Sequence, residues 1–308
     1  MWKNPLISIV LTLYNKKDYI EEQIFSIYQQ SYSNWELIIV DDCSTDWSFE
    51  KAKEFCSKLW IESKCTFIQN EKNLWVAKTF EKWLKNVNWD YVAMADADDL
   101  WMRDRLEIAI NYLQAHPWIK FIYWDLTTID EENRVINQKF YKNSILLSLA
   151  NKICPYPMAI TSSVLFSTEA SNELLKLWFP DKKRNIWQDY RISHFFVCRY
   201  WWDKIAYIDT PLAYYRRAPW AITLWQRKTK ERYIWSRLKF IELTEYVLNN
   251  KSYNKENTKF VQEMKIINNK LKEYIEKKTS IFSLSRTIIK RKNFRWFYLL
   301  AQYFKDVN

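Results

Sequence analysis

The sequence predicts an α/β protein whose sheet is parallel and covered by helices, and three observations carry that prediction. Strand-like and helix-like segments alternate four times within the first hundred residues. The strand-like segments are short apolar runs rich in β-branched residues, as buried strands are. Three of them also end in polar or acidic residues, the place where open α/β sheets put their ligands.

The elements follow in order. LISIVLTLYN (6–15) is a buried strand running into a loop, and KDYIEEQIFSIYQQSY then sets Ile20, Ile24, Ile27 and Tyr28 at helical spacing. WELIIVDDCSTD is a second apolar strand, ending in Asp41 and Asp42, and a helix is expected from about Ser48 to Leu59. The strand CTFIQN, a helix around AKTFEKWLKN, the strand DYVAMADADD and a helix over RDRLEIAINYL complete the series. Such alternation implies βαβ units. The polar groups at the strand ends are Thr12, Tyr14 and Asn15, then Asp41 and Asp42, then Asp96, Asp98 and Asp99.

No G-x-G-x-x-G or G-x-x-x-x-G-K-[ST] pattern follows the first strand, so neither a dinucleotide loop nor a P-loop is expected. Carboxylates suit Mg²⁺ or Mn²⁺, and a cation held by one or two of them neutralises a diphosphate. By itself D-x-D is weak. The same residues read equally as a solvated turn whose aspartates cap the next helix.

Composition narrows the classes further. The 308-residue chain has 47 Lys and Arg against 36 Asp and Glu, a formal net charge of +11, which favours anionic partners without choosing among them. Five cysteines with no C-x-x-C spacing and no preceding secretory signal read as reduced, buried thiols of a cytosolic protein. No apolar run approaches a membrane span. His116 and His194 lack partners at metal-ligand spacing and read as structural.

Glycine is absent and tryptophan occurs 18 times, where an ordinary chain of this length carries roughly twenty glycines. Several tryptophans occupy slots that favour glycine: DCSTDWS at a turn, VNWDY before a strand, RYWWDK and APWAI in polar connections. We expect most of them to stand at UGA codons that the source organism reads as glycine, with Trp35 and Trp101 genuine. The intact mass of the protein from its native host is expected to fall below that of the written sequence; agreement with the written mass would refute this.

Five motifs occur in order: SIVLTLYNKKDYIEEQIFSIYQQSYSNWELIIVDDCSTD, NLWVAKTFEKWL, DYVAMADADDLWMRDRLE, IWQDYRI and KIAYIDTPLAYYRR. Together they resemble the inverting nucleotide-sugar glycosyltransferases of family 2, over about residues 5–225. Reading tryptophan as glycine at 47, 75, 83, 89, 202 and 220 sharpens the likeness. The resemblance implies the GT-A fold, a Rossmann-like, mixed, mostly parallel sheet flanked by helices, here with a helical C-terminal extension. Residues 1–225 would form the catalytic domain, 1–102 its nucleotide-sugar half and 103–225 its acceptor half, with 226–308 a basic helical extension.

The resemblance also implies roles. Thr12 and Tyr14 would cradle the nucleotide base, Asp42 would accept from a uracil ring with Asp41 the next candidate, and Lys78 would lie on the nucleotide side. Asp96, Asp98 and Asp99 would hold the ribose and a Mn²⁺ or Mg²⁺ on the donor diphosphate. Asp189 matches the general base, and Arg216 or Arg217 would lie near the diphosphate. Two positions depart from the pattern: a histidine two places after the YR pair is Ala218 here, and a proline before the RDRLE helix is Arg103.

The donor would be a nucleotide sugar, a UDP-sugar first, and the acceptor a glycan or lipid-linked glycan of the bacterial cell envelope. The Lys-rich tail, ending RTIIKRKNFRWFYLLAQYF, either contacts a membrane surface from the cytoplasmic side or packs on the catalytic domain with its basic face in solvent. Two other functions stay open: a family member that binds nucleotide without transferring, and a nucleic-acid-binding protein, for which no motif appears. Asp209 reads as a turn residue before Pro211, and Tyr214 and Tyr215 as either core or ligand.

Overall fold

The computed structural model describes residues 4–74, 90–140, 160–176 and 204–217, with single positions 79, 83, 192, 195, 196, 200, 269 and 273. The chain divides into two compact units. One comprises Met1–Phe140, Met158–Ile192 and Asp203–Arg217, the other Tyr141–Pro157, Ser193–Trp202 and Ala218–Asn308. Every element named here belongs to the first. The expected boundary at 225 and the extension beyond it fall outside the described residues, apart from two single positions.

In chain order the elements are β1 (Ile7–Leu13), α1 (Ile20–Tyr28), β2 (Trp35–Asp41), α2 (Ser48–Lys58), a 3₁₀ turn (Glu62–Lys64), β3 (Cys65–Gln69), β4 (Tyr91–Asp96), β5 (Leu100–Trp101) and α3 (Arg105–Ala115). They continue with β6 (Phe121–Ile129), β7 (Val135–Asn137), a second 3₁₀ turn (Thr161–Ser163), β8 (Val164–Ser167), α4 (Thr168–Lys176) and β9 (Ile205–Arg216). Thr79 and Trp83, inside the expected helix around residue 80, are both helical.

One nine-stranded sheet runs β3-β2-β1-β4-β8-β6-β9-β5, with β7 paired to β6. The first four strands are parallel, as βαβ units require. From β1 the chain builds outward to β2 and β3, then returns to place β4 on the other flank of β1. The strand order therefore reverses between β1 and β4, and the crevice outside their carboxyl ends is where a ligand of such a sheet binds.

Beyond β4 the sheet becomes mixed, as the resemblance implies. β8 lies antiparallel between β4 and β6, and β5 antiparallel on β9. Asp209, expected in a turn, is inside β9: the register jumps from Trp124↔Ile208 to Asp125↔Pro211, so residues 209 and 210 form a bulge ahead of a proline that has no N–H to donate.

The core follows from the apolar periodicity. Ile7, Ile9, Leu11 and Leu13 of β1 and Leu37 and Ile39 of β2 are buried against Ile20, Ile24 and Ile27 of α1. Each such side chain contributes roughly 1.5–3 kcal/mol of burial. Of the cysteines, Cys56 is buried as expected, while Cys43 and Cys65 are only partly so; all three are free thiols, and Cys154 and Cys198 fall outside the described residues.

Two tryptophans adopt backbone angles that glycine favours. Trp47, before α2, has φ 68° and ψ 13°, and Trp60, after it, has φ 57°. At the end of α2, Trp60 N–H donates to Ser57 O and Ile61 N–H to Cys56 O, the paired bonds of a Schellman motif, whose left-handed position is usually glycine. Both indoles project into solvent, 69% and 89% exposed, so neither is placed by packing. Trp35 and Trp101 are buried, in keeping with genuine tryptophans. Trp83 is also buried, at a helical position, where glycine is not favoured.

Candidate active site

The site is assembled from three parallel strand ends. Register places Thr12 of β1 between Val40 of β2 and Asp96 of β4, and Leu13 beside Asp41. Tyr14 is exposed just beyond. Asn15, at φ 50°, ties this end to the next loop by accepting from Thr45 N–H at 2.8 Å and donating its own N–H to Ser44 Oγ at 2.9 Å.

At the end of β2 the two adjacent aspartates have different jobs. Asp41, fully buried, accepts from Ser44 N–H (2.9 Å) and Gln69 Nε2 (3.0 Å) through Oδ2, shaping the loop. Asp42 collects three bonds on Oδ1, from Asn70 Nδ2 (2.9 Å), Leu74 N–H (2.8 Å) and the Thr79 hydroxyl (2.9 Å). Asn70 and Thr79 are themselves buried, so this carboxylate is held in one orientation.

At the end of β4 the chain turns, with Asp99 N–H reaching Asp96 O. Asp96 is partly buried and Asp98 projects its carboxylate outward, about one-fifth exposed, where Oδ2 meets Lys16 Nζ at 2.7 Å. Asp99 turns inward. It is 1% exposed, accepts from Arg216 N–H at 2.9 Å through Oδ1, and keeps a buried Oδ2 that forms no geometrically sound hydrogen bond among the described residues, the nearby Ser162 hydroxyl included. Burial first, then repulsion from Asp98 and Asp96, pushes the Asp99 carboxyl well above the usual range.

Beneath the turn lies Arg105, fully buried. Its guanidinium is stacked 3.4 Å from the Trp101 ring centroid and 4.4 Å from that of Trp124, and donates to Met94 O. Desolvation lowers its pKa, while Asp99 and Asp96 oppose that shift; the guanidinium keeps its charge. Its charge lies close to Asp99 and Asp96.

Among the described residues no group of three or more His, Cys, Asp or Glu side chains converges on a metal-sized site. Asp98 presents an outward oxygen that already stabilises a positive charge, the Lys16 ammonium, and so is the member of the turn suited to a hard cation, whereas the Asp99 carboxyl is enclosed and faces the Arg216 N–H.

The two arginines separate. Arg216 has no exposed side-chain surface: Nε donates to Asp98 O (2.8 Å), Nη1 to Asp130 O and Glu131 O, Nη2 to Glu22 Oε2 (3.2 Å), and the plane lies over Tyr19. Arg217, partly buried, lies over Phe140. Lys78 and Asp189 lie outside the described residues.

The glycosyl transferase family 2 model matches residues 8–175, more than half the chain, and that stretch includes all three strand ends. The chain belongs to this family.

Among family relatives, a Bacillus subtilis protein named as a teichuronic acid biosynthesis glycosyltransferase, TuaG, is 37% identical over 112 residues, 36% of this chain and 43% of the relative. An Escherichia coli protein, UDP-Glc:alpha-D-GlcNAc-diphosphoundecaprenol beta-1,3-glucosyltransferase WfgD, is 31% identical over 130 residues, 42% of this chain and 49% of that one. The matched segment thus spans less than half the length of these relatives. The fold matches Staphylococcus aureus TarS 1–349 in complex with UDP-GlcNAc, with TM-score 0.60 and 17% identity over 84% of this chain and 70% of that one. It also matches the mannosyltransferase PcManGT from Pyrobaculum calidifontis in complex with GDP-Man and Mn²⁺, with TM-score 0.54 and 16% identity over 98% and 87%. These likenesses show the GT-A fold.

Sequence reading missed several residues of this family 2 site. Lys16 gave no signal beyond its place after Asn15, and Asn70 and Thr79 are polar residues whose burial only the fold reveals. Gln23, Ser26 and Gln30 did carry a signal: polar residues at helical spacing beside the Ile20–Ile24–Ile27 stripe, on a face that looks solvated until α1 is docked.

Proposed function

We propose that this family 2 chain transfers a sugar from a nucleotide diphosphate, a uridine one, to a hydroxyl of a glycan or lipid-linked glycan, with inversion and with a divalent cation on the diphosphate. One observation carries the reading: Thr12, Asp42 and Asp98 stand at adjacent parallel strand ends at the switch point of the sheet. The UDP-GlcNAc bound to TarS and the donor and lipid-linked acceptor in the WfgD name support the choice of partners. A lipid-linked acceptor would bring the basic tail to an anionic membrane face on the cytoplasmic side. Among the described residues no helix is long and apolar enough to cross a membrane.

In this reading Thr12 and Tyr14 flank the base, and Asp42, its Oδ1 fixed by three donors, turns Oδ2 to the uracil N–H. Asp41 shapes the loop behind it. Asp96 faces the ribose, Asp98 holds the Mn²⁺ or Mg²⁺, and Asp99 sets the turn from inside. When bound, the cation neutralises charge on the leaving diphosphate as a Lewis acid. Arg217 lies on the diphosphate side and Lys78 on the nucleotide side. Asp189 takes the proton of the acceptor hydroxyl as its oxygen bonds to the anomeric carbon, opposite the carbon–oxygen bond that breaks to the diphosphate.

Titration of UDP into the folded protein with and without Mn²⁺ tests this, binding being expected to tighten with the metal. Asp42→Ala is expected to weaken UDP about ten- to a hundredfold in both conditions, the worth of a hydrogen bond to a charged group. GDP or dTDP binding in place of UDP would change the base, and failure of all three would overturn the reading.

A further inference from the structure

Helix α1 carries a row of polar side chains that face inward. Gln23 is completely buried and Ser26 nearly so, at positions i and i+3 of one helix face, and Gln30, two residues past the end of α1, is nearly buried as well. All three are spent on the backbone of the acidic turn and the segment after it. Gln23 Nε2 donates to Asp96 O at 2.9 Å, Ser26 Oγ accepts from Trp101 N–H at 3.0 Å, and Gln30 both donates to Met102 O (2.8 Å) and accepts from Leu106 N–H (3.1 Å). Asp96 and Trp101 bracket Asp98 and Asp99, so the helix grips the turn at both ends.

The tip of the turn is gripped from the other side. Arg216, at the end of β9, receives the Asp99 carboxylate on its own N–H and donates Nε to Asp98 O, while Nη2 returns to Glu22 of α1. Its remaining reach goes to Asp130 O and Glu131 O. A guanidinium that is fully enclosed and committed to four acceptors is not placed to receive a phosphate.

We propose that Gln23, Ser26 and Arg216 form a clamp that positions the Asp96–Asp99 turn, and that Arg216 acts on the donor only through this turn, as a positioning residue and not as a diphosphate ligand. The proposal rests on the nucleotide-diphosphate reading of the site. Its physical content is that a carboxylate holding a metal must be fixed to within a fraction of an ångström, and two-sided backbone hydrogen bonds supply that rigidity.

Arg216→Lys and Gln23→Met test it, with UDP titrated in the presence and absence of Mn²⁺ and amide exchange followed across residues 96–102. Lysine retains the charge but cannot span the acceptors of the fork, and methionine keeps the volume of glutamine without its donor. In both variants the Mn²⁺-dependent gain in UDP affinity is expected to fall about tenfold, with metal-free UDP affinity unchanged, and exchange at residues 96–102 is expected to quicken relative to the rest of the first unit. Metal-free UDP affinity falling equally in Arg216→Lys would make Arg216 a ligand and overturn the proposal, as would an unchanged metal-dependent gain in Gln23→Met. If the parent shows no metal-dependent binding, the functional reading fails, and exchange alone decides the clamp: slow, parent-like exchange in Gln23→Met would refute it.

Discussion

Replacing Asp98 with asparagine is expected to abolish the Mn²⁺-dependent part of UDP binding and to lower turnover of UDP-glucose or UDP-GlcNAc by about 10²–10³-fold, the usual effect of removing one preorganised stabiliser of developing charge. Asp98 is singled out among its neighbours by exposure and charge: its outward oxygen holds Lys16 at 2.7 Å, whereas Asp99 is enclosed. An asparagine there offers a neutral amide oxygen and releases the lysine. Metal-free UDP binding, which depends on Asp42 and its three donors, should persist. Asp189→Asn is expected to do the reverse, leaving Mn²⁺–UDP binding intact while turnover falls about 10²–10⁴-fold, because a general base serves the nucleophile and not the leaving group. Parent-like metal dependence in Asp98→Asn would move the metal to Asp96, to be checked with Asp96→Asn.

Restoring glycine at 47 and 60 is expected to stabilise the protein by about 1 kcal/mol at each position. Left-handed backbone costs a residue with a Cβ roughly 1–2 kcal/mol, and the extra chain entropy that glycine loses on folding offsets part of the relief. Neither exposed indole contributes burial that would be forfeited. The two positions flank the 11-residue α2, itself about 16 Å long by helical rise, so the gains should add. Trp101→Gly makes the opposite prediction: it empties a buried site and strips the face on which Arg105 is stacked, and is expected to cost about 3–5 kcal/mol. Denaturant unfolding of the three variants separates the cases. Loss of stability in Trp60→Gly would sink the assignment of that position to glycine.

Much of the architecture could be read directly. The four parallel strands and the helices after them follow from β-branched runs and the Ile20–Ile24–Ile27 spacing, because burial of an apolar stripe is a local pattern in the chain. The acidic strand ends were equally visible, because carboxylates closing an apolar run stand out in the chain, although the motif alone also suited a solvated, helix-capping turn. What escaped is what depends on partners distant in sequence. β8 inserts antiparallel between β4 and β6, and residues 209 and 210 bulge within β9 where the motif KIAYIDTPLAYYRR reads as a strand broken by a turn. The resemblance implied that Arg216 or Arg217 lies near the diphosphate; only the fold shows every Arg216 side-chain nitrogen engaged.

The sequence by itself determined the α/β class, the order of the first strands, and a line of aspartates at their carboxyl ends, together with an anomalous tryptophan content that we expect to stand for glycine. The tertiary structure alone decided which aspartate faces outward and which is sealed. That division has one physical cause: the carboxylates of Asp98 and Asp99 are alike until the Lys16 ammonium and the Arg216 backbone N–H, brought from distant parts of the chain, give each a different partner, while the Gln23 amide holds the Asp96 backbone carbonyl.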